Sequence, residues 1–146
     1  MDDQPVIMLH ASCVAFQGRG LLILGASGAG KSGLALEMMA FGCALVADDR
    51  VLVRRESDRI LADCPPAILG RIEARGVGIL SADPAGPVPL ALAVDLDQDE
   101  PDRLPVHRKL DLAGLHLPLV LGRGRVHLAP VLLQYLKSGR WDRNRP

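Results

Sequence analysis

Residues Gly25-Ala26-Ser27-Gly28-Ala29-Gly30-Lys31-Ser32 satisfy the pattern GxxxxGK[ST] in full. No other stretch constrains the fold as tightly, because the pattern belongs between a strand and a helix. Leu21–Gly25 is wholly apolar, as in a strand covered on both faces. Lys31–Phe41 carries Leu34, Leu36, Met38 and Phe41 in a helical run that Gly42 would stop. Small residues let backbone N–H groups curl around a phosphate, assisted by the helix N-terminus. Lys31 is expected to reach the outer phosphates, and the Ser32 hydroxyl to bind Mg²⁺. The plainer alternative is a Gly-rich turn that merely joins strand to helix; the complete pattern in the right context argues against it.

Cys43–Ala47 reads as a second buried strand, ending at Asp48-Asp49. A carboxylate at the carboxyl end of a strand beside such a loop can hold Mg²⁺ or accept a proton from an attacking hydroxyl. Adjacent aspartates repel, so one of them can serve as a base. The competing reading is a solvated turn, since Asp is common at strand ends.

The rest of the chain reads as mostly strand. Val6–Phe16 is expected to be one strand, followed by a tight turn at Gln17–Gly20. Val51–Arg55 and Arg59–Cys64 form a hairpin turned at Glu56-Ser57-Asp58, and Pro65-Pro66 breaks the chain. Gly70–Leu80 is Gly-punctuated and ends in a strand, Ser81–Pro89 is a loop, and Leu90–Leu96 is another strand before the acidic loop Asp97–Asp102. Leu110–Leu121 is apolar and interrupted, and His127–Ser138 reads as a closing helix stopped by Gly139. The polar tail from Arg140 is expected to fray. Strands thus outnumber helices, unusual for a nucleotide kinase of alternating strand and helix.

A length of 146 residues fits one domain, 1–146. With 17 Lys+Arg against 17 Asp+Glu, bulk charge gives no basis for nucleic-acid binding. No apolar run approaches the roughly 18 residues of a membrane helix. Asp2 and Asp3 have the wrong sign for a signal peptide. Cys13, Cys43 and Cys64 are too widely spaced for zinc or a disulfide framework. A cytoplasmic protein is expected.

The run from His10 to Val53 resembles the HPr kinase/phosphorylase family in its C-terminal catalytic domain: an upstream His, an apolar strand, G-x-S-G-x-G-K-S, and L-V-A-D-D-R-V. A second match, Gly70-Arg71-Ile72-Glu73-Ala74-Arg75-Gly76-Val77-Gly78-Ile79, is similar to the family's second signature. The length looks like a short form with the catalytic domain alone. The resemblance implies an α/β, PEP-carboxykinase-like P-loop fold, strand-rich with one helix after the loop and one at the C-terminus. It also implies ATP- and Mg²⁺-dependent phosphorylation of a serine on HPr or an HPr-like phosphocarrier, the reverse removal of that phosphate in many members, and a homo-oligomer, a hexamer in the family. By position, His10 matches a catalytic His and Asp49, supported by Asp48, the dual base and acid. Glu73 matches a metal-binding carboxylate that joins Ser32 and Asp49, and Arg75 the Arg of the same signature. Asp102-Arg103-Leu104 resembles a later short motif, which makes Arg103 a further candidate.

The family pattern is broken in two places. Gly33 stands where an acidic residue is usual. Pro118–Gly124 keeps Gly122 and Arg123 of a segment tied to dephosphorylation but has Leu121 and Gly124 in place of Pro and Asn. A P-loop kinase of a small molecule and a non-catalytic nucleotide-binding regulator remain open. His107, His116 and His127 share no metal-like spacing.

Overall fold

The computed structural model describes residues 5–141. Among them, the strands are β1 (Ile7–Leu9), β2 (Ala11–Phe16), β3 (Arg19–Leu24), β4 (Ala44–Ala47), β5 (Val51–Glu56), β6 (Arg59–Asp63), β7 (Arg71–Ala74), β8 (Gly78–Ser81), β9 (Val88–Asp95), β10 (Arg108–Leu112) and β11 (Leu115–Leu121). The helices are α1 (Lys31–Ala40) and α2 (Leu128–Ser138), and Pro66–Ile68 is a single 3₁₀ turn. The fold is α/β and strand-rich, with one helix after the Gly-rich loop and one near the C-terminus, as expected.

The main sheet runs β1-β5-β6-β9-β3-β2-β4 and branches at β9. One edge of β9 is taken by β3; the other pairs first with β6 at Val88 and Pro89, then with β11 from Ala93 to Asp95. Strand β3 is buried on both sides, as its apolar run requires. Leu22 joins a cluster with Val53, Ile60, Ala62 and Leu117. Leu21 and Ile23 face a second cluster with Leu34, Met38, Leu132 and Leu136 from the two helices. The core is therefore double, with the central strands between one half of the strands and the helical layer. Burying each such leucine stabilises by roughly 1.5–3 kcal/mol, which ties the helices down despite the scarcity of aromatic residues.

Strand direction positions the site. Strand β3 is parallel to β9, and β9 to β11. Both β3 and β4 are antiparallel to β2. Hence β3, β4, β9 and β11 all point one way. Their carboxyl ends deliver Gly25, Asp48, Leu96 and Gly122 to one rim, where ligands bind in open α/β sheets. Strand β2 runs against them, so its beginning, at His10 to Ser12, lies at that same rim.

Several elements differ from expectation. Val6–Phe16 is two strands broken at His10, because Ile7–Leu9 pairs with β5 whereas Ala11–Phe16 pairs with β3 and β4. Gly70–Leu80 contains two strands rather than one: β7 and β8 form a separate hairpin. Arg19 and Gly20 belong to β3, leaving Gln17-Gly18 as the turn. Helix α1 ends as expected, with Gly42 at φ +107°, a conformation glycine adopts at little cost. In α2, Leu132, Leu133 and Leu136 are buried and Val131 faces outward. The tail is tied down at Arg140, whose guanidinium donates to the Pro105 carbonyl; residues 142–146 lie outside the described residues. The three cysteines are free and buried. Burial pushes each thiol's pKa up, aided at Cys64 by the Asp63 charge. Raised in this way, the thiols are held in the protonated form, which suits packing in the core.

Candidate functional site

The described residues bury three polar side chains, Ser12, Lys31 and Asp48, and all three lie at this rim. Buried polar groups need partners, and here the partners are one another and the Gly-rich loop. Asp48 Oδ1 accepts from the hydroxyls of Ser12 at 2.8 Å and Ser32 at 2.7 Å. Asp48 Oδ2 accepts the Glu73 backbone N–H at 3.0 Å. Asp48 thus joins three elements: β2, the start of α1 and the β7–β8 hairpin. Lys31 donates to the carbonyls of Gly25 and Ala26 at 2.7 and 3.0 Å.

Asp49 is turned the opposite way. Its backbone sits at φ +72°, a left-handed conformation that Asp tolerates better than most residues. Its carboxylate meets His10 Nε2 at 2.7 Å, with 59% of the Asp49 side chain and 56% of His10 exposed. The two neighbouring acids therefore divide their work: Asp48 is fixed inside, while Asp49 and its histidine stand open to solvent.

Two cavities flank the loop. The smaller, about 340 Å³, is lined by Ser27, Lys31, Ser32, Asp49, Glu73 and Arg75 among others. Of the predicted catalytic and metal residues it gathers Lys31, Ser32, Asp49, Glu73 and Arg75; His10 meets it through Asp49, Asp48 lies beneath Ser32, and Arg103 is elsewhere. Glu73 lies within β7, whereas Arg75 lies one residue beyond it, in the turn. The larger cavity, about 860 Å³, lies between residues 26–30 of the loop, the start of α1, and the segments following β9 and β11.

Arg103 is exposed and lines neither cavity. The ion pair of its acidic loop is made instead by Arg108, which donates from Nε and Nη2 to Glu100 at 2.6 and 2.9 Å. This contact holds the Glu100 carboxyl below the usual carboxylate range. The same loop is stitched to the segment after β11. Arg125 donates to the Glu100 carbonyl, and the Arg123 amide to the Gln98 carbonyl at 3.0 Å.

Sequence reasoning missed several residues here. Ser12 is a polar residue at an inward position of an apolar strand, a signal that was available. Asp97 follows the carboxyl end of β9, just as Asp48 follows β4, and its carboxylate oxygens accept the Ala26 N–H at 3.1 and 2.9 Å. Arg125 and His127 line the larger cavity at the entry to α2; no sequence spacing marks them.

The oxygen donors Ser32, Asp49 and Glu73 suit a hard cation that keeps water and phosphate oxygens in its shell. Among the described residues, no three His, Cys, Asp or Glu side chains form a group that could hold a metal ion. No helix among the described residues is long and apolar enough to cross a membrane.

Fold and site define a strand-rich α/β domain built around a Gly-rich strand–loop–helix turn, with an acid-and-hydroxyl network beneath it. Residues 4–85, more than half of the chain, match the family model for the HPr Serine kinase C-terminal domain, and the chain belongs to that family. An HPr kinase/phosphorylase of Listeria monocytogenes is 40% identical over 107 residues, covering 68% of this chain and 34% of the relative. One of Alkaliphilus metalliredigens is 37% identical over 118 residues, covering 77% and 38% respectively. The chain thus spans about a third of the length of the curated relatives it matches. The solved Hpr(Ser) kinase/phosphatase from Coxiella burnetii shares the fold, with a TM-score of 0.73 and 25% identity over 90% of this chain and 93% of that one.

Proposed function

We propose that the chain is a serine kinase of HPr type. It would transfer a phosphoryl group from ATP to a serine of HPr or an HPr-like phosphocarrier in the cytoplasm, and act as a single catalytic domain that assembles into a homo-oligomer. The observation that carries this reading is the open Asp49–His10 pair at the edge of a cavity that also contains Lys31, Ser32, Glu73 and Arg75. A base more than half exposed can meet a hydroxyl presented on the surface of another protein. A kinase of small metabolites would instead enclose its base with the substrate.

Residues Gly25–Ser32 would bind the phosphates through backbone amides, with the nucleoside extending into the larger cavity. Ser32, Asp49 and Glu73 would hold Mg²⁺, whose bound charge offsets that of the phosphates. Asp49 would accept the proton of the incoming serine hydroxyl, with its carboxylate direction fixed by the hydrogen bond to His10. Arg75 faces the cavity where charge grows on the transferred group. In the reverse reaction, inorganic phosphate would attack the phosphoserine phosphorus, the P–O bond to serine would break to give pyrophosphate, and Asp49 would return the proton to the serine oxygen. Arg103 enters this scheme only if its loop closes on a bound partner.

The test is transfer of label from γ-labelled ATP to purified HPr with Mg²⁺, with Asp49→Asn as control. Asp49→Asn is expected to lower turnover by a factor of about 10³ while leaving nucleotide affinity within about twofold. Wild-type label on HPr no greater than that of the variant would refute the reading.

A further inference from the structure

We infer that Ser12 is a positioning residue that sets both aspartates at once, and through Asp48 the hydroxyl that faces the cation. The inference rests on the reading that the smaller cavity takes a nucleotide with a divalent cation.

The Ser12 side chain is fully buried, with Ala11 and Cys13 as its strand neighbours. Packing alone would be satisfied there by another small apolar residue. Its hydroxyl is instead used twice. The Asp49 backbone N–H, which can only donate, reaches Ser12 Oγ at 3.2 Å. The Ser12 proton is thereby directed to its other partner, Asp48 Oδ1, at 2.8 Å. A hydroxyl has one proton and two acceptor sites, so this order uses both functions of the group.

The chain of bonds continues. An ionised Asp48 is an acceptor only, so Ser32 must donate to it across 2.7 Å. With its proton turned inward, Ser32 presents its lone pairs to the cavity, the orientation a cation ligand needs. At the other end, the bond to the Asp49 amide holds the residue at φ +72°, which sends its carboxylate outward to His10. One buried hydroxyl therefore ties the direction of the exposed base to the direction of the cation-facing serine. Outer partners of this kind orient the groups that bind metal and substrate.

Three variants test this. Ser12→Ala removes both bonds, Ser12→Cys keeps nearly the same size but bonds weakly, and Ser12→Thr keeps the hydroxyl. The first readout needs no carrier protein: binding of a non-hydrolysable ATP analogue, followed by calorimetry while Mn²⁺ is titrated. Ser12→Ala and Ser12→Cys are expected to raise the Mn²⁺ midpoint about tenfold, the equivalent of one lost hydrogen bond to a charged group. Affinity for the analogue without cation should stay within about twofold, and Ser12→Thr should restore the midpoint. The second readout is transfer to HPr, where kcat should fall more than KM changes. If Ser12→Ala fails to fold, Ser12→Cys carries the measurement.

A wild-type Mn²⁺ midpoint in a folded Ala or Cys variant would overturn the inference. So would losses in all three variants that simply follow the folded fraction, or analogue binding by the wild type that ignores the cation. Failure of the wild type to label any carrier would instead refute the proposed substrate and leave the Mn²⁺ result to decide the role of Ser12.

Discussion

Asp97 places a negative charge against the amide of a loop read as phosphate-binding, and the consequence can be measured. Its carboxylate lies at 3.1 and 2.9 Å from the Ala26 nitrogen and lines the larger cavity. A phosphate bonded to a neighbouring amide would stand roughly 5–6 Å away, two hydrogen-bond lengths. At a water-like dielectric, suited to so exposed a side chain, repulsion at that distance is about 0.7 kcal/mol per unit of phosphate charge. One to two units facing it give about 1 kcal/mol, or about fivefold in Kd. Asp97→Asn removes the charge but keeps an oxygen for the Ala26 amide. It is therefore expected to tighten nucleotide binding about fivefold at low salt, with the gain shrinking at high salt as the Debye length contracts. Asp97→Ala loses the acceptor as well and should gain less, because the loop amide then loses its anchor. Calorimetric titration of nucleotide into both variants at two ionic strengths is the assay. Weaker binding by Asp97→Asn at low salt would refute the reasoning, since it would mean that the carboxylate assists the nucleotide rather than competing with it.

Other expectations follow from packing and charge. A Cβ at Gly122 would lie 2.9 Å from both the Leu128 and Val94 side chains, so Gly122→Ala should cost about 1–3 kcal/mol, read from the urea midpoint. Leu132, fully buried between α2 and the sheet, should cost about 2–5 kcal/mol as Leu132→Ala in the same assay. The Glu100 carboxyl is held below its ordinary pKa, chiefly by the Arg108 hydrogen bond. Its contribution is therefore full above the ordinary carboxylate range and is lost as pH falls through the folded-state value. Glu100→Gln should be less stable than wild type near neutrality, and the difference should close in acid; thermal melts across pH would check it.

The legible parts of this molecule were those specified locally. The Gly-rich loop, the apolar strand before it and the helix after it are written in adjacent residues, so β3 and α1 were readable to within about two residues. The break at His10 was not, because Val6–Phe16 is apolar enough for one strand and only the choice of partners, β5 against β3 and β4, divides it. Asp48-Asp49 was readable as a pair. Its division into an inward and an outward acid depends on Ser12, which approaches from a strand 36 positions away in the chain. Arg103 shows the converse: a short motif in an exposed loop carries no information about where the loop lies. Asp97, Arg125 and His127 share a cavity with the Gly-rich loop only because three parallel strands end at one rim, a fact of topology rather than of spacing.

That shared polarity has a consequence for how such a domain can be joined to other proteins. The rim opposite the cavities is formed by short links, including Gln17-Gly18 between β2 and β3 and Ala113-Gly114 between β10 and β11. A side chain added at Gly18 would meet nothing within 4 Å. A reporter, tether or whole module grafted at that turn is expected to leave the lining of both cavities in place. Such a domain can gain attachments along one border of its sheet while the other border stays committed to a single piece of chemistry.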